Sequence, residues 1–250
     1  YASAAAAGLS CTADLVGASV GTKQGFSIIR YQATSGETVA HGLSEQPSFM
    51  LIKNMDSAND WMVYHKEGNG SGGDMSGSQG LNLNNSDGTF SSGSNTFITA
   101  KSATTFTVGS SALVQNGSDD IIAYIWHDVP GLQKFGHYSG NQNANGPFIE
   151  LGFRPAMVWV KGVGSGSTSW RIFDKERNPT NTSTTLYLRP NVANGDLDDT
   201  RPIDIVSNGF KIRVASGGDI NLSSGAYEYI YCAWADVPSI DLYGGGANAR

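Results

Sequence analysis

Charged residues are scarce in this sequence of 250 residues. Asp, Glu, Lys and Arg together make up 15 % of the chain, whereas about 25 % is typical of globular domains. The net charge is -6. Proteins that bind nucleic acid concentrate Lys and Arg on one face to contact phosphates, and the sequence has no such excess. We therefore expect no nucleic-acid partner.

Cysteines and long apolar runs are also scarce. Cys11 and Cys232 are too few for a disulfide framework, and no Cys or His cluster has the spacing of a zinc site. The sequence leaves open whether the two form one disulfide or stay as free thiols. No apolar run approaches the length of about 18 residues that a membrane span needs. We expect a soluble chain without a membrane partner.

The motifs of common active sites are missing as well. The sequence contains no G-x-S-x-G elbow, no P-loop, no H-E-x-x-H and no EF-hand calcium loop. We therefore predict that the protein is not an enzyme, and we assign no catalytic, cofactor-binding or metal-binding residue and no cofactor. Ligand-binding residues stay unassigned at this stage.

Single polar residues still supply candidates for chemistry. Two acidic turns suit either a calcium ion or a plain polar turn: Asp119 and Asp120, and Asp196, Asp198 and Asp199. Glu67 and Glu176 each follow an apolar strand and are interpreted as structural edge residues. The four histidines lie in separate segments and are interpreted as surface or sheet-edge residues: His41, His65, His127 and His137.

Glycine, by contrast, occurs 32 times, mostly in short polar clusters that separate apolar runs. Runs such as FMLIKN, WMVYHK and IIAYIWHDV are short and rich in β-branched and aromatic side chains, which is typical of strands. No segment keeps the i, i+3, i+4, i+7 spacing of an amphipathic helix. We predict an all-β fold built from β-sandwich units of the jelly-roll type.

The sequence contains an internal repeat with an offset of about 108 residues. Pro47 and Lys53 recur as Pro155 and Lys161, and WMVYHKE recurs as WRIFDKE. Each copy ends in an apolar strand that carries the motif W-x-D-V-P. The repeat predicts two tandem units with an extension at each end: an N-terminal arm at 1–24, repeat 1 at 25–131, repeat 2 at 132–240 and a C-terminal tail at 241–250.

Tryptophans and divergent loops are the remaining candidates for binding. Four tryptophans recur in both copies, which favours core packing over ligand stacking: Trp61, Trp126, Trp170 and Trp234. Trp159 replaces Leu51 and has no aromatic counterpart. The copies diverge in three polar loops, at 67–80, 174–185 and 193–202. A binding function is expected there, although such loops equally suit solvated turns.

Several motifs resemble a repeat module of bacteriophage structural and tail-associated proteins, especially from phages of marine bacteria and cyanobacteria. The resemblance covers residues 25–250 and rests on G-F-S-I-x-x-Y, H-G-L and S-N-G-F-K-I-R, and most specifically on GPFIELGFRPAMVWVK. It implies a tail fibre, a spike or a capsid-bound appendage. Partners would be other virion proteins and further copies of the chain, a trimer being the commonest form for a fibre. A host-surface glycan is a further candidate partner.

Three classes of function follow from these observations. The leading hypothesis is a bacteriophage virion structural protein, located in the virion, that acts in assembly or host-surface adhesion. The alternatives are a secreted carbohydrate-binding module, which would be monomeric and bind a polysaccharide, and a glycan-cleaving enzyme, which would need two carboxylates across a cleft.

Overall fold

The structure is a computed structural model that describes residues 8–164, 168–182, 184–199, 203–215, 220–222 and 228–237. Within these residues the chain forms strands and turns and contains no helix. The all-β prediction is therefore confirmed. No helix long and apolar enough to cross a membrane occurs in the same residues.

The described residues contain nineteen strands. Those of the first half are β1 (Asp14–Gly21), β2 (Phe26–Gln32), β3 (Thr38–Ala40), β4 (Phe49–Asn54), β5 (Met62–His65), β6 (Gln79–Asn82), β7 (Phe90–Ser91), β8 (Ile98–Lys101), β9 (Thr105–Val108) and β10 (Ile121–Trp126). Those of the second half are β11 (Gln133–Ser139), β12 (Phe148–Glu150), β13 (Pro155–Gly162), β14 (Arg171–Asp174), β15 (Thr185–Tyr187), β16 (Leu197–Asp199), β17 (Ile203–Val206), β18 (Gly209–Ile212) and β19 (Glu228–Ala235).

The chain divides into two compact units. Unit 1 comprises Tyr1–Lys66, Asp74–Leu83 and Thr89–His127, and unit 2 comprises Glu67–Gly73, Asn84–Gly88 and Asp128–Arg250. Two short segments of the first sequence repeat thus belong to unit 2. The boundaries assigned from the sequence treat each repeat as one continuous stretch, and they stay a prediction.

Unit 1 contains two antiparallel sheets. The larger has the strand order β1-β2-β10-β4-β5-β6-β7, and the smaller has the order β3-β9-β8. Strand β10 alternates buried and half-buried residues along its length, which is the period of a strand with one face in a core. Tyr31 of β2 and Phe106 of β9 are fully buried and meet edge to face at 5.9 Å. The two sheets therefore pack face to face, as in a β-sandwich.

Unit 2 is also layered. Its sheets have the strand orders β11-β19-β13-β14, β12-β18-β17 and β15-β16. The ring of Phe210 on β18 contacts Tyr138 on β11 at 6.4 Å and Tyr231 on β19 at 5.5 Å. One core joins all three sheets, since it includes Phe210 together with Val158 of β13 and Tyr187 of β15.

The main sheets of the two units share strand order and register. The order β2-β10-β4-β5 of unit 1 corresponds to β11-β19-β13-β14 of unit 2. Trp126 lies opposite Phe49 in the first sheet, and Trp234 lies opposite Met157 in the second. These residues occupy equivalent places in the sequence repeat. The repeat of the sequence is therefore also a repeat of strand order.

Strand β1 has no counterpart among the described strands of unit 2. It pairs antiparallel with β2 along its whole length. Just before it, the Ala13 N–H donates to the Thr38 carbonyl on β3 at 3.0 Å. This segment of the predicted N-terminal arm thus extends the larger sheet beyond β2 and bonds to β3, the outer strand of the smaller sheet. The corresponding strands of unit 2, β11 and β12, are outer strands of their sheets.

Candidate functional site

Three of the four histidines are buried in unit 1. His41 and His65 are fully buried, and His127 is 6 % exposed. Their interpretation as surface or sheet-edge residues is therefore wrong. His65 lies opposite Phe49 and meets its ring at 6.2 Å. Strand β5 is buried on both faces, so it lacks the alternation that would have marked His65 as an inward-facing residue.

His41 is neutral and fixes a turn. The Leu43 N–H donates to His41 Nδ1 at 3.2 Å, so the ring proton is on Nε2, which donates to the Ser102 carbonyl at 3.3 Å. Burial lowers the pKa of His41 to about 4; the hydrogen bond to Ser102 opposes this effect and the nearby His127 adds to it. At neutral pH the imidazole is therefore an uncharged structural group.

His137, the exposed histidine, pairs with Glu67 in unit 2. His137 Nδ1 lies 2.8 Å from Glu67 Oε2, and the two side chains are 38 % and 30 % exposed. The imidazole packs on the backbone of Gly72, where a Cβ atom would come within 2.4 Å of Nε2. Burial raises the pKa of Tyr231, and the charge of Glu67 raises it further. Sequence reasoning missed this cluster, since 70 positions separate its two charged members.

The polar loop at 67–80, which is rich in Gly and Ser, contains hydrogen bonds of its own. Asn69 Oδ1 accepts the N–H groups of Ser71 and Gly73 at 2.8 and 2.9 Å, and the Asn69 N–H donates to the Gly73 carbonyl at 3.0 Å. Further along, the Tyr64 hydroxyl donates to the Asp74 carboxylate at 2.7 Å. The turn at 69–73 is therefore held by hydrogen bonds of its own.

The acidic turn before β10 is held by protein donors. Asp119 accepts three side-chain hydrogen bonds at 2.9 to 3.0 Å, from Asn54, Ser57 and Asn116. Asp120 accepts two, from Gln32 at 2.9 Å and from Arg30. These donors lower the pKa of both carboxyls, chiefly through Asn116 for Asp119 and through Arg30 for Asp120. Both carboxylates therefore act as acceptors that fix the turn.

The second acidic turn lies in unit 2. Asp196 accepts a hydrogen bond from Arg177 Nε at 2.9 Å, and Arg177 also pairs with Asp174. Asp198 is exposed, while the side chain of Asp199 and residues 200–202 lie outside the described residues. No group of three His, Cys, Asp or Glu side chains that could hold a metal ion occurs in the part of the chain that the structure describes.

Two asparagines tie the loop at 174–185 to backbone groups. Asn178 bonds both the N–H and the C=O of Leu186, each at 2.8 Å. Asn181 does the same with Ile205, at 2.9 and 3.0 Å. Because Ile205 lies on the outer strand β17, the Asn181 amide takes the place of a neighbouring strand. Glu176 of the same loop is 83 % exposed.

The repeated lysine is structural in both units. Lys53 Nζ donates to two carbonyls of the loop that follows β4, at 3.0 and 2.7 Å. Lys161 is fully buried, and its Nζ donates to the Ser86 carbonyl at 3.0 Å and the Thr168 carbonyl at 2.6 Å. The recurrence of lysine in the sequence thus reflects a recurring anchor for a loop.

The tryptophans pack against other rings. Of the four that recur, Trp170 is buried, as core packing predicts, while Trp61, Trp126 and Trp234 are half-buried. Trp126 stacks on Phe26 with a centroid distance of 4.7 Å. Trp159 meets the fully buried Trp170 at 6.3 Å and Trp234 at 5.6 Å. Trp159 therefore belongs to the packed aromatic cluster, although it has no counterpart in the other repeat.

Both cysteines are free thiols. The sequence leaves open whether they form one disulfide or stay as free thiols, and the structure has the free thiols. Cys232 is fully buried on β19, and burial raises the pKa of its thiol well above the ordinary value. This thiol is protonated at neutral pH and packs as a small apolar side chain.

The geometry defines the class of protein: an all-β protein of β-sandwich character whose polar side chains anchor surface loops. The chain belongs to a family described as Domain of unknown function (DUF7483), and the family model matches residues 2–238. One family model thus spans β1 and both sequence repeats. No curated protein sequence and no solved structure matches the chain.

Proposed function

We propose that the chain is a structural protein of a bacteriophage virion, in a tail fibre, a spike or a capsid-bound appendage, and that it acts in assembly or host-surface adhesion. In this proposal the chain is not an enzyme and uses no cofactor. Its partners are other virion proteins and further copies of itself, and a host-surface glycan is a candidate ligand.

The fixed surface loops carry the proposal. Asn69, Asp119, Asn178 and Asn181 each bind groups in their own turn or on a neighbouring strand. A loop that is ordered before it binds loses little conformational entropy on association. Such loops therefore suit a surface that docks repeatedly on other proteins. The motifs that resemble phage structural modules support the location of that surface in a virion.

The scarcity of exposed aromatic side chains in the described residues favours this proposal over a carbohydrate-binding module. A sugar stacks on an exposed aromatic face, and the described residues include no exposed Trp or Tyr. Phe148 of β12 is 48 % exposed, and the other exposed large apolar side chains of the described residues are not aromatic: Met55, Val192 and Val237. A glycan ligand would therefore be held chiefly by hydrogen bonds from the polar loops.

Location in the particle is tested by immunogold electron microscopy with an antibody raised against the purified chain. Particles from the source culture, purified on a density gradient, should carry gold at one constant position, and their digests should contain peptides of the chain. Preimmune serum on the same particles is the control. A chain found only in the particle-free fractions contradicts the proposal.

Binding of the labelled chain to host cells distinguishes a role in adhesion from a role in assembly. Adhesion predicts saturable binding that weakens when a fixed loop is loosened by Asn178→Ala. Asp198→Ala is the matched control, since Asp198 is exposed. Assembly predicts no binding to cells and recovery of the chain with other virion proteins after mild disruption of particles.

A further inference from the structure

The outer edge of β11 lacks the strand that covers its counterpart. In unit 1, β2 pairs with β10 on one side and with β1 on the other. In unit 2, the equivalent strand β11 is the last strand of its sheet and pairs with β19 alone among the described strands. The same position of the repeated fold is thus filled in one unit, whereas no described strand fills it in the other.

The first residues of β11 show which backbone groups point outward. The Gln133 N–H donates to the Val129 carbonyl at 3.0 Å, and the Phe135 N–H donates to the Asp128 carboxylate at 2.8 Å. Odd-numbered residues of β11 therefore direct their N–H and C=O groups away from β19. The even-numbered residues form the ladder with β19.

This alternation places four polar backbone groups on the open edge. They are the N–H and C=O groups of His137 and Ser139, the last two odd-numbered residues of the strand. Both residues are exposed. Within the described residues, no neighbouring strand pairs with this side of β11. An outer strand in this state is a template for pairing with another chain.

Two other outer strands of the protein are each bonded on their free side at one residue. The Asn181 amide occupies the edge of β17 at Ile205, and the Ala13 N–H binds the edge of β3 at Thr38. The beginning of β11 is closed by Val129 and Asp128, whereas no described residue bonds the outward backbone groups at its end. The end of β11 is therefore available for association.

We propose that the end of β11 pairs antiparallel with the same edge of a second copy of the chain. In a two-fold arrangement with Tyr138 opposite Tyr138 of the second copy, His137 of each copy lies opposite Ser139 of the other. All four open backbone groups of each copy then form hydrogen bonds. The inference rests on the assembly role proposed above and names the surface that performs it.

The polar side chains along the edge fit this register. The Ser139 hydroxyl donates to the Glu228 carboxylate, with distances of 2.8 and 2.9 Å to its two oxygens. The imidazole of His137 in one copy would therefore lie on the side of Glu228 in the other copy. The two imidazoles do not lie directly opposite each other, so they do not compete for the same space.

Proline at residue 139 tests the pairing. Ser139→Pro removes an N–H that points away from β19, so the ladder inside the unit keeps its hydrogen bonds while the open edge loses a donor and gains a ring. Ser139→Ala is the matched control, because it removes the same hydroxyl and keeps the N–H. Circular dichroism establishes that both variants retain the β fold.

Light scattering of the full chain is measured from micromolar to millimolar concentration. The mass of the wild type and of Ser139→Ala should rise from 26.4 kDa toward twice that value, and Ser139→Pro should associate at least tenfold more weakly. A wild type that stays monomeric throughout, or a Ser139→Pro variant that associates like Ser139→Ala, overturns the inference.

Hydrogen exchange of the wild type gives a measurement without any variant. The amides of His137 and Ser139 should exchange more slowly at high than at low protein concentration, while the Phe135 amide, already bonded, should not change. Exchange at His137 and Ser139 that is independent of concentration contradicts the pairing. Either negative result would leave the immunogold test of virion location unaffected.

Discussion

A buried tyrosine hydroxyl recurs in both units and allows a matched test of the repeat. The Tyr31 hydroxyl donates to the Val114 carbonyl at 2.7 Å in unit 1, and the Tyr138 hydroxyl donates to the Ile220 carbonyl at 2.8 Å in unit 2. Both bonds tie a strand of the main sheet to a loop. Replacement of either tyrosine by phenylalanine removes the donor and keeps the ring.

The expected loss of stability follows from the carbonyl left behind. Val114 and Ile220 are fully buried, so water cannot easily replace the hydroxyl. A buried polar group without its partner costs about 1–3 kcal/mol. For a chain of this size each kcal/mol lowers the melting temperature by about 2–4 °C. We expect each variant to lose stability in this range, and the two losses to be similar.

Urea unfolding followed by tryptophan fluorescence measures the effect. Tyr124→Phe is the control, because the Tyr124 side chain is half-buried and makes no hydrogen bond within the described residues. It should change the free energy of unfolding by less than about 0.5 kcal/mol. Losses at Tyr31 and Tyr138 as small as that of the control would refute the reasoning.

Alkaline pH supplies a second measurement on the same variants. Burial raises the pKa of both tyrosines well above the ordinary value. The unfolded chain releases these protons near pH 10 while the folded chain keeps them. Stability should therefore be complete below about pH 10 and fall as the pH rises further. Tyr31→Phe and Tyr138→Phe should each reduce that fall.

Three further predictions concern His41 and the fixed loops. The pKa of His41 is about 4 in the folded chain and about 6.5 in the unfolded chain. The free energy of unfolding should therefore fall by roughly 3 kcal/mol from pH 6.5 to pH 4. In urea titrations, His41→Gln should flatten this pH dependence whatever its effect at neutral pH. Asn181→Ala should lower the free energy of unfolding by about 1–2 kcal/mol, since Ile205 loses both hydrogen bonds. Proteolysis of the loop should also become faster, and an unchanged cleavage rate would contradict this role of Asn181. Asp119→Ala should lower the urea midpoint, whereas Asp198→Ala should leave it unchanged, and equal midpoints for the two variants would contradict the anchoring role of Asp119.

Much of the strand layout could be predicted from local patterns. The W-x-D-V-P strands became β10 and β19, which occupy the same place in their sheets. Lys53 and its repeat Lys161 lie on the equivalent strands β4 and β13 because the same apolar runs build the same sheet order. Strand β1 was assigned to an arm, since its glycines, alanine and serine give a weak strand signal.

The candidate site was less predictable than the strands. Glu67 and His137 meet across 70 positions, and no short-range pattern links them. The burial of His65 was equally hidden, because β5 is short and buried on both faces and therefore lacks the alternation of buried and exposed residues. Asn181 and Ile205 likewise meet only because a loop folds back on an outer strand.

The sequence by itself determined the all-β fold, the repeat and the placing of aromatic side chains in a core, because these depend on period, composition and turn residues that are local along the chain. Only the tertiary structure decided which polar groups are satisfied and which edges are open. Those properties depend on neighbours brought together by folding: β1 beside β2, Asn181 beside β17, and no described strand beside the end of β11.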